Sequence, residues 1–229
     1  MPATTVLIDA RMALRGLGIG TFLNRLTAAL ATARPSLTTR LWKGSGEWGR
    51  AAVLSTLARS GPFDVSPRLD PRTWGSDVVH FASNLGPLFP GRCSLVTVHD
   101  LMYRDRGRPQ DQLAGLLLER CMRRAQKVVA ISDRTRAQVE AALPQLAGRV
   151  EVIPHGMRRL PWPSGPRMHV LAFGGAADPR KRVDLMVAAY REYQAEAPDP
   201  LPLVVLARAG LTADQQEQLG QLGARIVPS

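Results

Sequence analysis

Residues 168–190 read MHVLAFGGAADPRKRVDLMVAAY, and the fold turns on how this stretch is parsed. Met168–Phe173 is a short apolar run of the kind that forms a buried strand. Gly174-Gly175 breaks it, and a tight strand-to-helix turn needs residues that accept φ > 0 and let backbone approach a ligand. Asp178 and Pro179 read as a helix start, with Asp as N-cap and Pro at the first helical position. Val183, Leu185, Met186 and Ala189 supply the apolar face behind them. Arg180 and Lys181 fall in the first turn, where the positive end of the helix dipole disfavours cations and favours anions. Two readings stand: an exposed cationic helix start, or a turn in which both cations face a bound phosphate.

The chain has 229 residues, enough for one or two domains with a sizeable core. With 45% hydrophobic and 21% charged residues it is globular rather than disordered. The net charge is +11, from 30 Lys+Arg against 19 Asp+Glu, and only Lys43, Lys127 and Lys181 are lysine. Coding bias in a GC-rich genome, and hence a bacterial source, accounts for that arginine skew more simply than a binding function. A basic surface still favours anionic partners. Nucleic acid is not expected among them: aromatics are 5%, the arginines are scattered and no nucleic-acid motif occurs. Cys93 and Cys121 lack metal spacing and read as free buried thiols. Asp9 and Arg11 interrupt any leader-like segment, and no apolar run reaches the ~18 residues of a membrane span. A cytoplasmic location is therefore expected.

Val6-Leu7-Ile8 is a strand closing on Asp9, followed by a glycine-rich loop, ARMALRGLGIG, over Ala10–Gly20. Phe22, Leu23, Leu26, Ala29, Leu30 and Ala33 then recur at helical spacing up to Pro35. The loop does not meet G-x-G-x-x-G, so a dinucleotide site is not expected. Thr38–Trp42 reads as strand, Glu47–Arg59 as helix, Phe63–Ser76 as loop and Asp77–Phe81 as strand, with His80 a structural histidine within it. Asn84–Arg92 is a Pro/Gly-rich connection.

Ser94–Tyr103, SLVTVHDLMY, runs a buried-type strand into His99-Asp100. Open parallel sheets bind ligands beyond the carboxyl ends of their strands, and the register puts His99 there. Taken alone, the pair is equally a hydrogen-bonded turn; a metal pair lacks a nearby third ligand. Asp111–Arg124 is a helix with Leu113, Leu116, Leu117, Leu118 and Cys121 facing inward. Arg120, Arg123, Arg124 and Lys127 near its end are either a solvated basic face that complements the dipole or a surface for anionic lipid. Lys127–Ile131 is a strand, Ser132 caps a helix over Asp133–Leu143, and Arg149–Pro154 is a strand before His155-Gly156. Leu160–Pro166 is a Pro-rich linker. Beyond Tyr190, Leu201–Ala207 is a strand, Thr212 caps a helix to Leu222, and Arg225–Val227 starts another strand.

Five segments, IDARM…GIGTF, VTVHDL, VVAISDRTR, VEVIPHG and FGG…PRK, occur in order from Ile8 to Lys181. In identity, order and spacing they resemble the retaining glycosyltransferases of family 4, which have a two-domain GT-B fold. Thr21 and Phe22 depart from the family's GIGRY-type string, His155 stands where Asn is usual, and Gly175 where many members carry Arg. The resemblance implies an α/β, GT-B-like chain: a Rossmann-like doubly wound N-terminal domain over residues 1–163 on the acceptor side, and the first part of an incomplete Rossmann-like donor domain over 164–229. It implies transfer of a sugar, with retention and without a metal or other cofactor, from a nucleotide sugar to an acceptor that is a saccharide, a lipid-linked molecule or a natural-product aglycone. It places His99 in the cleft as the catalytic residue, Gly174, Arg180 and Lys181 on the donor diphosphate, and Gly18 and Gly20 in a cleft loop on the acceptor side. Contact with the inner face of a membrane is compatible with it. The family's Glu-x7-Glu segment has no counterpart in the 229 residues, so a C-terminally truncated transferase, weak or inactive by itself, is expected. The alternative is a non-catalytic half-transferase that binds an acceptor, a membrane surface or a complementing chain.

Overall fold

The computed structural model describes residues 4–10, 18–42, 64–66, 75–83, 95–104, 109–156, 165–166, 168–175, 181–208 and 211–228. The chain forms two compact units, Met1–Arg158 and Arg159–Ser229.

The first unit is built on a seven-stranded sheet: β1 (Thr5–Asp9), β2 (Thr38–Trp42), β3 (Asp64–Ser66), β4 (Val78–Phe81), β5 (Leu95–Val98), β6 (Lys127–Ala130) and β7 (Val150–Val152). The spatial order is β3-β2-β1-β4-β5-β6-β7 and every neighbouring pair is parallel. The chain winds outward from β1 in both directions, so the order reverses between β1 and β4, the point where a doubly wound sheet opens a crevice. Three α-helices are described: α1 (Gly18–Ala33), α2 (Pro109–Arg124) and α3 (Asp133–Ala142).

Strands of a parallel sheet covered on both sides lose their polar alternation. β4, β5 and β6 each follow one partly or fully exposed residue with three buried ones, which is why Val78–Phe81, Leu95–Val98 and Lys127–Ala130 read as short apolar runs. Successive residues point to opposite faces. Leu7 accordingly joins the core of Phe81, Val98, Leu118, Met122 and Val139 under α2 and α3, while Ile8 joins Leu23, Leu41 and Ala82 under α1. Each fully buried side chain of this size contributes roughly 1.5–3 kcal/mol. Ser132 caps α3 as expected, its hydroxyl accepting from the Thr135 N–H at 3.1 Å. Cys121 is a buried thiol, in no disulfide among the described residues, while Cys93 lies outside them.

The second unit holds three parallel strands in the order β10-β9-β8: β8 (Val170–Gly175), β9 (Leu203–Arg208) and β10 (Arg225–Pro228). They pack with α4 (Val183–Glu196) and α5 (Ala213–Gln221) around Val187, Tyr190, Leu203, Val205 and Leu219. Thr212 and Gln215 form a capping box at the start of α5.

Several expectations are corrected. Gly18 and Gly20 are not loop residues; they form the first turn of α1, where Gly20 is buried. Gly174 and Gly175 are not the turn; they continue β8 and pair with Ala207 and Arg208, because β9 is long enough to extend the ladder. The helix after them begins at Val183 with Arg182 as N-cap, whereas the expected cap at Asp178-Pro179 lies outside the described residues. Within Phe63–Ser76, Asp64–Ser66 forms an edge strand on β2, too short to register as a period. β7 ends at Val152, two residues early. Leu113 and Leu116 face outward, 54% and 65% exposed, because α2 buries Gly115, Leu118, Cys121 and Met122. The helix read over Glu47–Arg59 and the Asn84–Arg92 connection lie outside the described residues.

Candidate functional site

The residues that follow β1, β4, β5 and β7 meet at the carboxyl edge of the first unit's sheet. Asp9 ends β1 and is 2% exposed; the Ser83 hydroxyl donates to its Oδ2 at 2.9 Å, tying the end of β1 to the segment after β4 across the switch point. His99 directly follows β5 and is 9% exposed. Its Nε2 lies 3.1 Å from the Ala82 carbonyl oxygen, and its Nδ1 lies 3.2 Å from Nε2 of His155.

These two contacts fix the tautomers of the pair. A carbonyl only accepts, so His99 carries its proton on Nε2 and, when neutral, must accept at Nδ1. His155 therefore donates through Nε2, and when neutral its own Nδ1 carries the lone pair. Phe22, one turn beyond Gly18 on α1, completes the cluster: its ring meets His99 edge-on (5.1 Å, 78°) and tilts over His155 (4.6 Å, 41°). Burial lowers the pKa of His99, helped by the charge that His155 would carry, while the Ala82 carbonyl and Asp100 oppose the shift. Burial also lowers that of His155. Both rings are thereby set to be neutral at neutral pH, each with one donor and one acceptor.

Asp100 serves the local turn, its Oδ1 accepting from the Met102 N–H at 3.1 Å. His80 is structural, as expected: Nε2 lies 2.8 Å from Thr97 Oγ1, and burial pushes its pKa down to about 4. Among the described residues, no three of His, Cys, Asp and Glu come together in a group that could hold a metal ion.

The second unit carries the residues assigned to the donor. Gly174 ends β8 with Gly175, Lys181 is exposed just before α4, and Arg180 lies outside the described residues. Arg182 takes left-handed backbone (φ 48°) and grips the Asp184 carboxylate through Nε and Nη2 at 2.8–3.1 Å. One cation of the Arg180-Lys181-Arg182 run is thus matched within its own helix turn. Of the expected site residues, the structure assembles His99 with the first turn of α1, where Gly18 and Gly20 sit, and Gly174 with Lys181 belongs to the other unit. It adds Phe22, Asp9, Ser83 and His155. The available signal for His155 was its position, a histidine just beyond a strand's carboxyl end, as His99 is.

Residues 52–158 match Glycosyltransferase Family 4, a span that contains both His99 and His155. Among solved structures the chain is similar to that of Phytolacca americana UGT2 complexed with UDP-2fluoro-glucose and pterostilbene, at 12% identity and a TM-score of 0.46 over 100% of this chain and 72% of that one. No curated protein matches the chain.

Proposed function

We propose that this glycosyltransferase family 4-like chain serves the transfer of a sugar, with retention at the anomeric carbon, from a nucleotide sugar to a hydroxyl-bearing acceptor, with His99 and His155 at the reacting sugar. The observation that carries this reading is the paired imidazole at the carboxyl edge of the sheet, where His99 is held on the Ala82 carbonyl that follows β4 and His155 Nδ1 is left as an acceptor. A sugar hydroxyl that donates to that nitrogen is oriented by a group that cannot rotate without breaking the His99 bond. The acceptor oxygen bonds to the anomeric carbon as that carbon's bond to the diphosphate oxygen breaks, and the hydroxyl proton leaves with the diphosphate. Negative charge grows on the leaving group, and fixed cations and free helix N–H groups stabilise it there. In this reading Lys181 and the start of α4 supply them, and no metal takes part.

Saturation-transfer NMR on the full chain with UDP-, GDP- and ADP-glucose tests it. At least one binds saturably, and Lys181→Ala weakens that binding roughly tenfold, the value of one charge-assisted contact. Absence of binding by all three overturns the reading.

A second reading is favoured by the outer face of α2, where exposed Leu113 and Leu116 adjoin exposed Arg120 and Arg123. It is peripheral contact with an anionic lipid surface, compatible with transfer to a lipid-linked acceptor at the inner side of a membrane. Among the described residues no helix is long and apolar enough to cross one.

A further inference from the structure

α1 carries two apolar stripes. Leu23 and Thr27, each 1% exposed, turn onto the sheet. A second stripe, Gly18, Phe22, Leu26 and Ala29, recurs at i, i+4, i+8 and i+11 and lies about 125° away round the helix. It is not sealed: Phe22 and Leu26 are partly buried and Ala29 is exposed. The stripe forms one wall of a cavity of about 490 Å³. Ile153, 51% exposed, and Pro154 form the facing wall, and Leu95, Thr97, Val129 and His80 of β4–β6 lie beneath.

The chemistry of this cavity is uneven along its length. In the floor, His80 and Thr97 satisfy one another, and His80 stays uncharged at neutral pH because of its burial. Most of the surface is therefore apolar and neutral, with Arg25 and Thr21 the polar side chains contributed by α1. At one end the lining is Gly18, Phe22 and His155, the rings that rest on His99. Small-molecule sites have this form: about 300–1,000 Å³, mostly apolar, with a few polar groups that fix orientation.

We propose that this cavity is a binding site for the apolar body of the acceptor, an aromatic or alkyl molecule whose hydroxyl lies at the His155 end. Calling the ligand an acceptor rests on the transferase reading above; its binding does not. A free sugar fits poorly, because its hydroxyls would lose water against Leu26, Val129 and Ile153 without gaining partners. An apolar body instead removes the second stripe of α1 and the exposed Ile153 from water.

The test uses 2-naphthyl β-D-glucoside as probe, its naphthyl fluorescence anisotropy followed on titration with the full chain in the absence of any nucleotide sugar. The expected result is saturable binding that an equal concentration of methyl β-D-glucoside, which has the same sugar without the apolar body, does not displace. Ala29→Trp puts an indole into the cavity from an exposed helix position, and Ile153→Glu puts a charge on the facing wall. Each weakens binding at least tenfold while circular dichroism shows the fold retained. Displacement by methyl β-D-glucoside, no saturable binding, or unchanged affinity in the properly folded variants overturns the proposal. Nucleotide-sugar binding is measured separately on the unaltered chain. If that fails while the naphthyl probe binds and both substitutions act, the transferase reading falls and the cavity stands as an apolar-ligand site.

Discussion

His99 can hold only one neutral tautomer, since the Ala82 carbonyl claims its Nε2 proton and His155 supplies one to Nδ1. In imidazole 15N NMR at neutral pH, Nε2 of His99 should give a protonated-type signal and Nδ1 an unprotonated one; the reverse assignment contradicts the site. His155→Asn retains an N–H donor and should preserve the pattern, whereas His155→Phe should release it. Burial of His80 has a consequence for stability. An unfolded imidazole takes its proton near pH 6.5, and His80 in the fold only at about 4. The folded state binds fewer protons between those values, so this contribution is complete above pH 6.5 and is lost as pH falls toward 4, at a cost on the order of 3 kcal/mol. The lowered pKa values of His99 and His155 act with the same sign. Urea midpoints across that range should fall with pH, and less steeply in His80→Gln; equal slopes would refute the assignment. At this scale the sequence was legible where a role is local: His99 ending a strand, His80 within one, Ser132 before a helix. The His99–His155 bond was not, because 56 residues separate the partners and no string states which strand ends face each other.

The same division between local and distant information governs the elements. Strands and helices with a clean period were readable, but the glycines were not. Gly18 and Gly20 open a helix, and Gly174 and Gly175 close a strand, because packing and ladder length decide what a permissive residue does. Gly115 shows what such a position is for. A Cβ there would overlap the ring of Tyr103, whose hydroxyl donates to Glu119 at 3.0 Å while Arg104 pairs with the same carboxylate. Gly115→Ala gains about 1 kcal/mol of helix propensity against an overpacking cost of roughly 1–3 kcal/mol, so the melting temperature should fall; a rise would mean that the ring moves aside freely. On the outer side of α2, Leu113 and Leu116, read as inward, are outward, because the helix has a single buried face, which holds Leu118 and Cys121, and the five apolar residues spread beyond it. If that face meets lipid, co-sedimentation with phosphatidylglycerol vesicles should exceed that with phosphatidylcholine vesicles, and a Leu113→Ser, Leu116→Ser, Arg120→Ser triple variant should lose roughly fivefold or more of it. Equal sedimentation of variant and parent would remove the membrane reading.

For the whole molecule, alternation of strand and helix signals was enough to infer parallel α/β units, since parallel neighbours need crossovers and helices provide them. The order β3-β2-β1-β4-β5-β6-β7 is the step that creates a site, and it is a property of the assembled sheet rather than of any segment. It puts the end of β1 beside the end of β4 and brings Asp9, Ser83, His99 and the start of α1 to one edge. In the second unit, strand, helix and cap at Thr212 were all readable, while Arg180 lies outside the described residues.

The central claim is that the His99–His155 edge serves sugar transfer. Its most direct test is nucleoside diphosphate release from the nucleotide sugar that binds, with 2-naphthol as acceptor and the anomeric configuration of the product read by proton NMR. The account predicts release above the protein-free rate, a product that keeps the donor's anomeric configuration, and a loss of roughly ten- to a hundredfold in His99→Ala, the value of one or two oriented hydrogen bonds. Release that is unchanged in His99→Ala, or a product of inverted configuration, would contradict it.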